Sequence, residues 1–247
     1  MNIINILGIN INTFTKKQAL AKIQRFLTED RQHFIVTPNA EIILEAIMHD
    51  EELFYILNKT DLAVLDGSGP QFAALFMGHF VERYPGADLL KDILTLAEAQ
   101  GRRVVVFNWQ GGLSRVDDIK LALSNKYPKL QVLIEDLDRA IEPAESLMEA
   151  VREFKPEILF CTFGAPYQEK FIYNNLAKLP SVKIGMGVGG SFDFLTGKLP
   201  RAPFLLRKIG LEWLWRLVKQ PWRWKRIYNA VIVFPIKFLI WRFNLSK

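Results

Sequence analysis

Three short segments of this chain carry side chains suited to proton transfer and to binding a polar ligand. Asp66 offers a carboxylate that can accept a proton, and Thr37 and Asn39 offer a hydroxyl and an amide. Gln168, in segment 164–169, adds a second amide. The same residues also suit structural roles, because Asp and Asn cap helices and Thr-Pro sequences form turns. Both interpretations stay open at this level.

A fourth segment, 187–191, reads Gly-Val-Gly-Gly-Ser and is suited to binding an anion. Gly187, Gly189 and Gly190 add no bulk, so the backbone amides around them can approach a phosphate. With Gly185 they also satisfy the dinucleotide pattern G-x-G-x-x-G, but that pattern should open a β-α-β unit. Here the chain continues into the proline-containing segment 198–203. An NAD-dependent oxidoreductase is therefore a disfavoured alternative, and we expect no cofactor.

A metal site is not favoured either. Asp136 and Asp138 form a D-x-D sequence after a predicted strand, 131–134, and such a pair can hold a divalent ion beside a nucleotide diphosphate. With Glu135 and Arg139 beside them, a solvated charged loop is the preferred interpretation. The three histidines show no ligand spacing and stand at His33, His49 and His79.

The elements that position these groups alternate between strands and helices over residues 1–197. Val104-Val105-Val106 is free of polar residues, as expected for a strand covered on both faces. Strands are predicted at 34–37, 62–65, 103–107, 131–134, 158–162 and 182–186. Helices are predicted near 39–58, 71–79, 87–100, 113–126, 143–154 and 167–178.

This repeated β-α-β order predicts an α/β fold with a Rossmann-like, mainly parallel sheet flanked by helices. Ligands of such sheets bind at the carboxyl ends of the strands. Because all four segments follow predicted strands, they should meet at one edge. A sugar-nucleotide site is the function we infer from them.

The formal net charge of +6 is concentrated at the C-terminus. Residues 198–247 hold twelve Lys or Arg against Glu212 as the single acid, which gives +11 and leaves −5 for residues 1–197; they also hold five of the six tryptophans. We therefore predict a core domain, 1–197, and a basic, Trp-rich helical appendage, 198–247. This composition suits an anionic membrane surface. A nucleic-acid-binding tail and a packed helical cap are the alternatives.

Targeting signals are not evident. The start of the chain lacks the basic-then-apolar pattern of a secretion signal, and Cys161 is the single cysteine. The apolar run 230–241 is interrupted by Pro235 and Lys237 and is shorter than the roughly 20 residues of a spanning helix. We expect a cytoplasmic protein.

Short motifs are spread over almost the whole chain. They are Thr37-Pro38-Asn39-Ala40-Glu41, Asp66-Gly67, Gly86-Ala87-Asp88-Leu89, the segments 164–169 and 187–194 with Gly197, Arg201-Ala202-Pro203, 210–214 and Arg216-Leu217. In these motifs the chain resembles the WecG/TagA/CpsF family of bacterial glycosyltransferases, which includes the N-acetylmannosaminyltransferases of wall teichoic acid and enterobacterial common antigen synthesis. Two departures are Tyr167, where the family usually has Lys, and the turn 108–112, which is usually richer in glycine.

The resemblance implies an inverting, membrane-associated hexosyltransferase of cell-surface polysaccharide synthesis. It would move N-acetylmannosamine or a related sugar from a UDP donor to the 4-hydroxyl of N-acetylglucosamine on undecaprenyl diphosphate, at the inner face of the cell membrane. It further implies that Asp66 is the general base, that Thr37, Asn39 and Gln168 line the site, and that the appendage closes over it. The donor sugar and the oligomeric state, including a homo-oligomer, are left open.

Neutralising the departing diphosphate without a metal requires other positive groups. Backbone amides of segment 187–191 and arginines of the appendage can supply them. Arg216 and Arg223 are seven residues apart and so share one face of an ideal helix, with Arg226 one turn further on. The resemblance points to the same three arginines, and the planar guanidinium group matches phosphate oxygens well.

Overall fold

The computed structural model describes residues 2–208 and 210–244, without the side chains of residues 207, 208, 216 and 244. Six parallel strands form its central sheet in the order β4-β3-β8-β7-β5-β6. The predicted α/β, Rossmann-like class is confirmed. The strands, with the N-terminal β1 and β2, are β1 (Ile3–Ile6), β2 (Ile9–Asn12), β3 (His33–Val36), β4 (Leu62–Ala63), β5 (Arg103–Trp109), β6 (Gln131–Leu137), β7 (Ile158–Cys161) and β8 (Ile184–Gly187).

Helices connect and cover these strands. They are α1 (Lys16–Phe26), α2 (Ala40–Met48), α3 (Glu51–Asn58), α4 (Ser68–Phe76), α5 (Gly86–Ala99), α6 (Val116–Lys126), α7 (Glu145–Phe154), α8 (Tyr167–Asn175), α9 (Ser191–Leu195), α10 (Phe204–Lys208), α11 (Glu212–Lys219), α12 (Trp224–Tyr228) and α13 (Phe234–Asn244). Short 3₁₀ turns lie at Leu176–Lys178 and Pro221–Arg223, and a π turn at Asn229–Val233.

The prediction of one helix over 39–58 is wrong, because the chain breaks between α2 and α3. Asp50 has extended backbone, and its side chain accepts a hydrogen bond of 2.9 Å from the Leu53 N–H, which caps α3. Its other carboxylate oxygen pairs with Lys170 on α8 at 2.8 Å. Asp is one of the residues preferred at the N-cap, so Asp50 starts a new helix at this position.

The core lies on both faces of the sheet. Along β5, Val104 and Val106 pack on one face and Val105 and Phe107 on the other, and all four are fully buried. The prediction of a doubly covered strand is therefore confirmed. Cys161 is also buried, and burial raises the pKa of its thiol.

The Ile-rich start forms an antiparallel hairpin of β1 and β2 beside the main sheet. Its turn places Leu7 and Gly8 at positive φ, 56° and 86°. Asn12 links the hairpin to β4, since its side-chain oxygen accepts a hydrogen bond of 2.8 Å from the Ala63 N–H.

The C-terminal segment is helical and packs on the body through α13. Phe234 and Phe238 are buried, and Phe238 meets Phe76 of α4 edge to face at 5.9 Å between ring centroids. The division at 197/198 stays a prediction. Over the described ranges 2–208 and 210–244, no helix is long and apolar enough to cross a membrane.

Candidate active site

The ends of β3 and β4 bring three of the predicted residues together. The Asp66 N–H donates to the Pro38 carbonyl at 3.1 Å. Gly67, at φ +81°, lies beside Asn39, since an added Cβ would be in van der Waals contact with the Asn39 Cβ at 3.6 Å. Asn39 also caps α2, because its side-chain oxygen accepts a hydrogen bond of 3.0 Å from the Ile42 N–H. The capping interpretation is thus correct for Asn39, and the cap lies beside Asp66.

Thr37 lies at the start of α5 as well as at the end of β3. Its side chain is nearly buried, and its Oγ1 is 3.2 Å from where a Cβ on Gly86 would stand. The glycine of the 86–89 motif therefore lets α5 begin against Thr37. This contact places the first turn of α5, which contains Asp88, near the end of β3.

Gln168 joins the loops that follow β7 and β8. Its buried side-chain oxygen accepts hydrogen bonds from the Gly164 N–H at 3.2 Å and the Gly189 N–H at 2.8 Å. Gly187 gives it room, since an added Cβ would lie 2.6 Å from the Gln168 Cδ. Gln168 therefore positions two loops, and its position requires a glycine at 187.

Most backbone amides of the glycine-rich turn, 187–191, already donate hydrogen bonds to other groups of the protein. The Val188 N–H donates to the Cys161 carbonyl at 2.8 Å, and the Ser191 N–H donates to the Val188 carbonyl at 3.1 Å. With Gly189 bonded to Gln168, Gly190 is the remaining amide donor of this turn in the described structure. An anion at this edge consequently needs positive side chains in addition to the turn.

Arg201 is a charged residue at this edge that the sequence reasoning did not select. It pairs with Asp88 at 2.5 Å and is largely buried. Burial alone would lower its pKa, but the hydrogen bond with Asp88 and the charges of Asp88, Glu212 and Asp66 raise it above the ordinary arginine value. Arg201 therefore stays charged within electrostatic reach of Asp66.

Arg201 also retains hydrogen-bonding capacity. Its Nε is buried and has no hydrogen-bond partner among the residues that the structure describes. Both Arg201 and Asp88 lie in motifs of the resemblance, 201–203 and 86–89. Each motif contains one charged residue among small or apolar ones, Arg201 in the first and Asp88 in the second. This pattern was the signal that could have identified the pair.

One arginine of the appendage pairs with the body, and a second bonds within the appendage. Arg226 pairs with Glu41, in the first turn of α2, through its Nε at 2.9 Å and a terminal nitrogen. Arg223 donates to the buried side chain of Gln220 at 3.0 Å. The Arg216 side chain lies outside the described part of the structure.

Asp193, in α9, links Arg223 to the turn after β8. Burial raises the pKa of Asp193, while a hydrogen bond of 2.7 Å from Ser114 and the charge of Arg223 oppose that rise. The appendage is thus electrostatically coupled to the loop that follows β8.

The loop at the end of β6 differs from the prediction. The strand runs to Leu137, so Asp136 lies within it and accepts a hydrogen bond of 2.7 Å from Asn108. Asp138 accepts from the Ala140 N–H at 2.9 Å. Within the described ranges, no group of three or more His, Cys, Asp or Glu side chains has a geometry that could hold a metal ion.

Arg139 is partly buried, whereas the sequence predicted a solvated charged loop. Its guanidinium lies between the rings of Trp109 and Tyr167, at 4.1 and 4.4 Å from their centroids, and donates to the Phe163 carbonyl at 3.3 Å. Cation–π attraction favours this sandwich. Tyr167 and the turn at Trp109, the two departures named with the resemblance, therefore meet around one arginine.

Glu169 is a second residue that the sequence reasoning missed. Its buried side chain accepts a hydrogen bond of 2.8 Å from Gln168, and Oε2 has no partner among the described residues. Burial raises its pKa to about 7, although the hydrogen bond from Gln168 opposes the shift. Its place at the end of the motif 164–169 was the signal that could have identified this carboxylate.

Comparison with known proteins supports the family resemblance that the motifs indicated. The family model described as "Glycosyl transferase WecG/TagA/CpsF family" matches residues 4–247. A protein of Bacillus subtilis (strain 168) named N-acetylglucosaminyldiphosphoundecaprenol N-acetyl-beta-D-mannosaminyltransferase is 29% identical over 196 residues, 79% of this chain and 75% of the relative. A protein of the same name from Staphylococcus aureus (strain MRSA252) is 30% identical over 228 residues, 91% of this chain and 86% of the relative.

The family match spans nearly the whole chain, and several motifs of the resemblance lie at the strand ends described above. The chain belongs to the WecG/TagA/CpsF family of glycosyltransferases.

Proposed function

We propose that this protein transfers N-acetylmannosamine or a related sugar from a UDP donor to the 4-hydroxyl of N-acetylglucosamine on undecaprenyl diphosphate, with inversion at the anomeric carbon. The names of the two relatives support the sugar and the acceptor lipid. The observation that carries the proposal is the position of Asp66, at a strand end next to Asn39 and within the electrostatic reach of Arg201.

In this mechanism Asp66 is the general base. The acceptor 4-hydroxyl attacks the anomeric carbon and passes its proton to the Asp66 carboxylate. The bond between that carbon and the diphosphate oxygen breaks, and its electron pair leaves with UDP. Thr37 and Asn39 line the site beside the base, and Gln168 keeps the loops after β7 and β8 in place. A fixed base at the end of a strand reduces the entropic cost of in-line attack.

Positive side chains and the Gly190 amide would stabilise the departing diphosphate. Arg201 offers a buried Nε, while Arg223 and Arg226 approach the body near α9 and α2. Arg216 is proposed from the spacing and the resemblance alone. Preorganised cations in a partly buried site stabilise developing negative charge without a metal ion. We therefore propose a reaction that needs no metal and no cofactor.

The appendage would hold the enzyme at the inner face of the cell membrane, where its lipid acceptor lies. Trp222 and Trp224 are 74% and 56% exposed, and Lys219 and Lys225 flank them. Indole rings at headgroup depth and lysines beside anionic lipids both favour this association. Nucleic acid is not among the proposed partners.

Asp66→Asn tests the proposal because it preserves size and removes the base. With UDP-N-acetylmannosamine and a lipid-linked N-acetylglucosamine diphosphate as substrates, we expect turnover to fall by about 10²–10⁴-fold with the melting temperature nearly unchanged. Asp61→Asn is the control for the loss of a negative charge, because Asp61 directly precedes β4 whereas Asp66 follows it. Turnover of Asp66→Asn within a few-fold of the parent would exclude Asp66 as the base. The same assay in excess EDTA tests metal independence.

A further inference from the structure

An apolar pocket of about 650 Å³ lies between α4 and the C-terminal helices. Its size falls within the range of small-molecule sites in proteins. The floor contains two buried rings of α13, and the opposite wall is formed by α4 and the segment that follows it. The residues that define it are Phe72, Leu75, Phe76, Phe80, Phe234 and Phe238.

One end of this pocket adjoins the candidate active site. Ser68 and Gly69 line it, and they directly follow Asp66-Gly67. Gly69 contacts the C-terminal helices closely, since an added Cβ would lie 3.4 Å from the Phe234 ring. The lining of the pocket therefore begins two residues after the proposed base, where α4 meets the C-terminal helices.

The same end also carries a positive charge. Arg83 is the charged residue among the described residues that line the pocket. The next residue, Tyr84, donates its N–H to the Leu65 carbonyl at 3.0 Å, directly before Asp66. A ligand in this pocket would thus have its apolar part between α4 and α13 and its anionic part toward Arg83, which leaves the space between Arg83 and Asp66 for the accepting sugar.

The opposite end opens to solvent among exposed apolar side chains. Phe72 and Phe80 are 63% and 85% exposed, and Leu75 beside them is 59% exposed. Clustered exposed apolar residues mark an interaction site. Because the cluster surrounds a concave opening, it fits a flexible apolar chain that enters the pocket.

We propose that this pocket binds the proximal isoprene units of the polyprenyl chain of the acceptor, with its diphosphate toward Arg83. This inference rests on the proposed function, which requires a ligand with a long apolar chain and a diphosphate next to the accepting sugar. The pocket matches that chemistry in order along its length, with an apolar mouth, apolar walls and a cation in the lining toward the strand end that carries the base. A membrane surface alone would contact the rim and leave the walls without a ligand.

The test compares two neighbouring residues of the π turn. Val231 lines the pocket, whereas Ile232 does not and is exposed. Val231→Trp should obstruct part of the pocket with an indole ring, and Ile232→Trp is the matched control. Calorimetric titration of the full chain, without membranes, measures the affinity for farnesyl diphosphate, with inorganic pyrophosphate as the probe that lacks a chain.

We expect the parent and Ile232→Trp to bind farnesyl diphosphate at least tenfold more tightly than pyrophosphate, and Val231→Trp to lose that preference. Each methylene moved from water into apolar surroundings favours binding by roughly fourfold, so tenfold requires fewer than two of them. If Val231→Trp does not fold, Leu239→Asn in the lining and Ile240→Asn outside it form the second pair.

Equal preference for farnesyl diphosphate in the parent and the pocket variants would overturn the proposal, and so would an equal loss in both members of a pair. A parent protein without sugar transfer that still shows a Val231-dependent preference would refute the proposed function and leave the prenyl site standing. The two failures are therefore distinguishable.

Discussion

The contact between Gly187 and Gln168 leads to a quantitative prediction. A methyl group at position 187 would lie 2.6 Å from the Gln168 Cδ, so Gly187→Ala must displace the Gln168 side chain. Displacement breaks the hydrogen bonds to the Gly164 and Gly189 amides. Each bond contributes about 1 kcal/mol, and leaving the amides unsatisfied adds a similar cost. We expect Gly187→Ala to lower the free energy of unfolding by about 3 kcal/mol.

The double variant separates this cause from a general loss of packing. Gln168→Ala loses the same two hydrogen bonds but leaves room for the methyl group at 187. Gly187→Ala combined with Gln168→Ala should therefore be about as stable as Gln168→Ala alone, which corresponds to a coupling of about 3 kcal/mol. Urea denaturation measures this coupling, and Gly187→Ala should lower the melting temperature by roughly 6–12 °C.

Gly185→Ala is the matched control on the same strand. Its added methyl would lie 2.8 Å from the Ile172 Cγ2 and does not meet Gln168. It should destabilise the protein without coupling to Gln168→Ala. If Gly187→Ala and Gln168→Ala were additive within about 0.5 kcal/mol, the two residues would not act through one contact.

Two further predictions concern pH and membrane binding. The pKa of Glu169 is raised to about 7 in the folded protein from an ordinary value of 4.5, so the folded state binds more protons between these pH values and its stability should fall as pH rises from about 4.5 to 7. The decrease in the free energy of unfolding amounts to about 3 kcal/mol at most, and Glu169→Gln should remove it. Urea denaturation at several pH values measures this. If the pH dependence were unchanged in the variant, Glu169 would not be a buried neutral carboxyl group. Trp222→Ser with Trp224→Ser should weaken binding to anionic phosphatidylglycerol vesicles by at least tenfold in a sedimentation assay and leave the melting temperature within about 2 °C, because both rings are largely exposed. Equal vesicle binding by this variant and the parent would place the membrane contact elsewhere.

Part of the architecture could be predicted because it depends on local patterns. The apolar run 104–106 indicates a covered strand, and it lies in the middle of the sheet with both faces buried. The segments after β3, β4, β7 and β8 could be predicted to share an edge, since parallel strands align their carboxyl ends. The single helix over 39–58 was wrong because Asp50 bonds both to its own helix start and to Lys170, a partner distant in sequence.

Other features of the site depend on distances between residues far apart in the chain. Arg139 could be placed in a charged loop from its neighbours, but its position between Trp109 and Tyr167 arises from the ends of three strands. Arg201 meets Asp88 across 113 residues of sequence. No periodicity or local motif reports such a pairing.

The sequence by itself determined the α/β class, the family and the residue types at the strand ends, because strand periodicity, β-α-β order and motif spacing are properties of neighbouring residues. The tertiary structure alone decided which groups act together. Gln168 bonds two loops beside Gly187, Arg201 pairs with Asp88 within electrostatic reach of Asp66, and α13 forms an apolar pocket with α4. The physical reason is that burial and electrostatic coupling depend on the distances between residues in space. Those distances are determined by how the helices pack around the sheet.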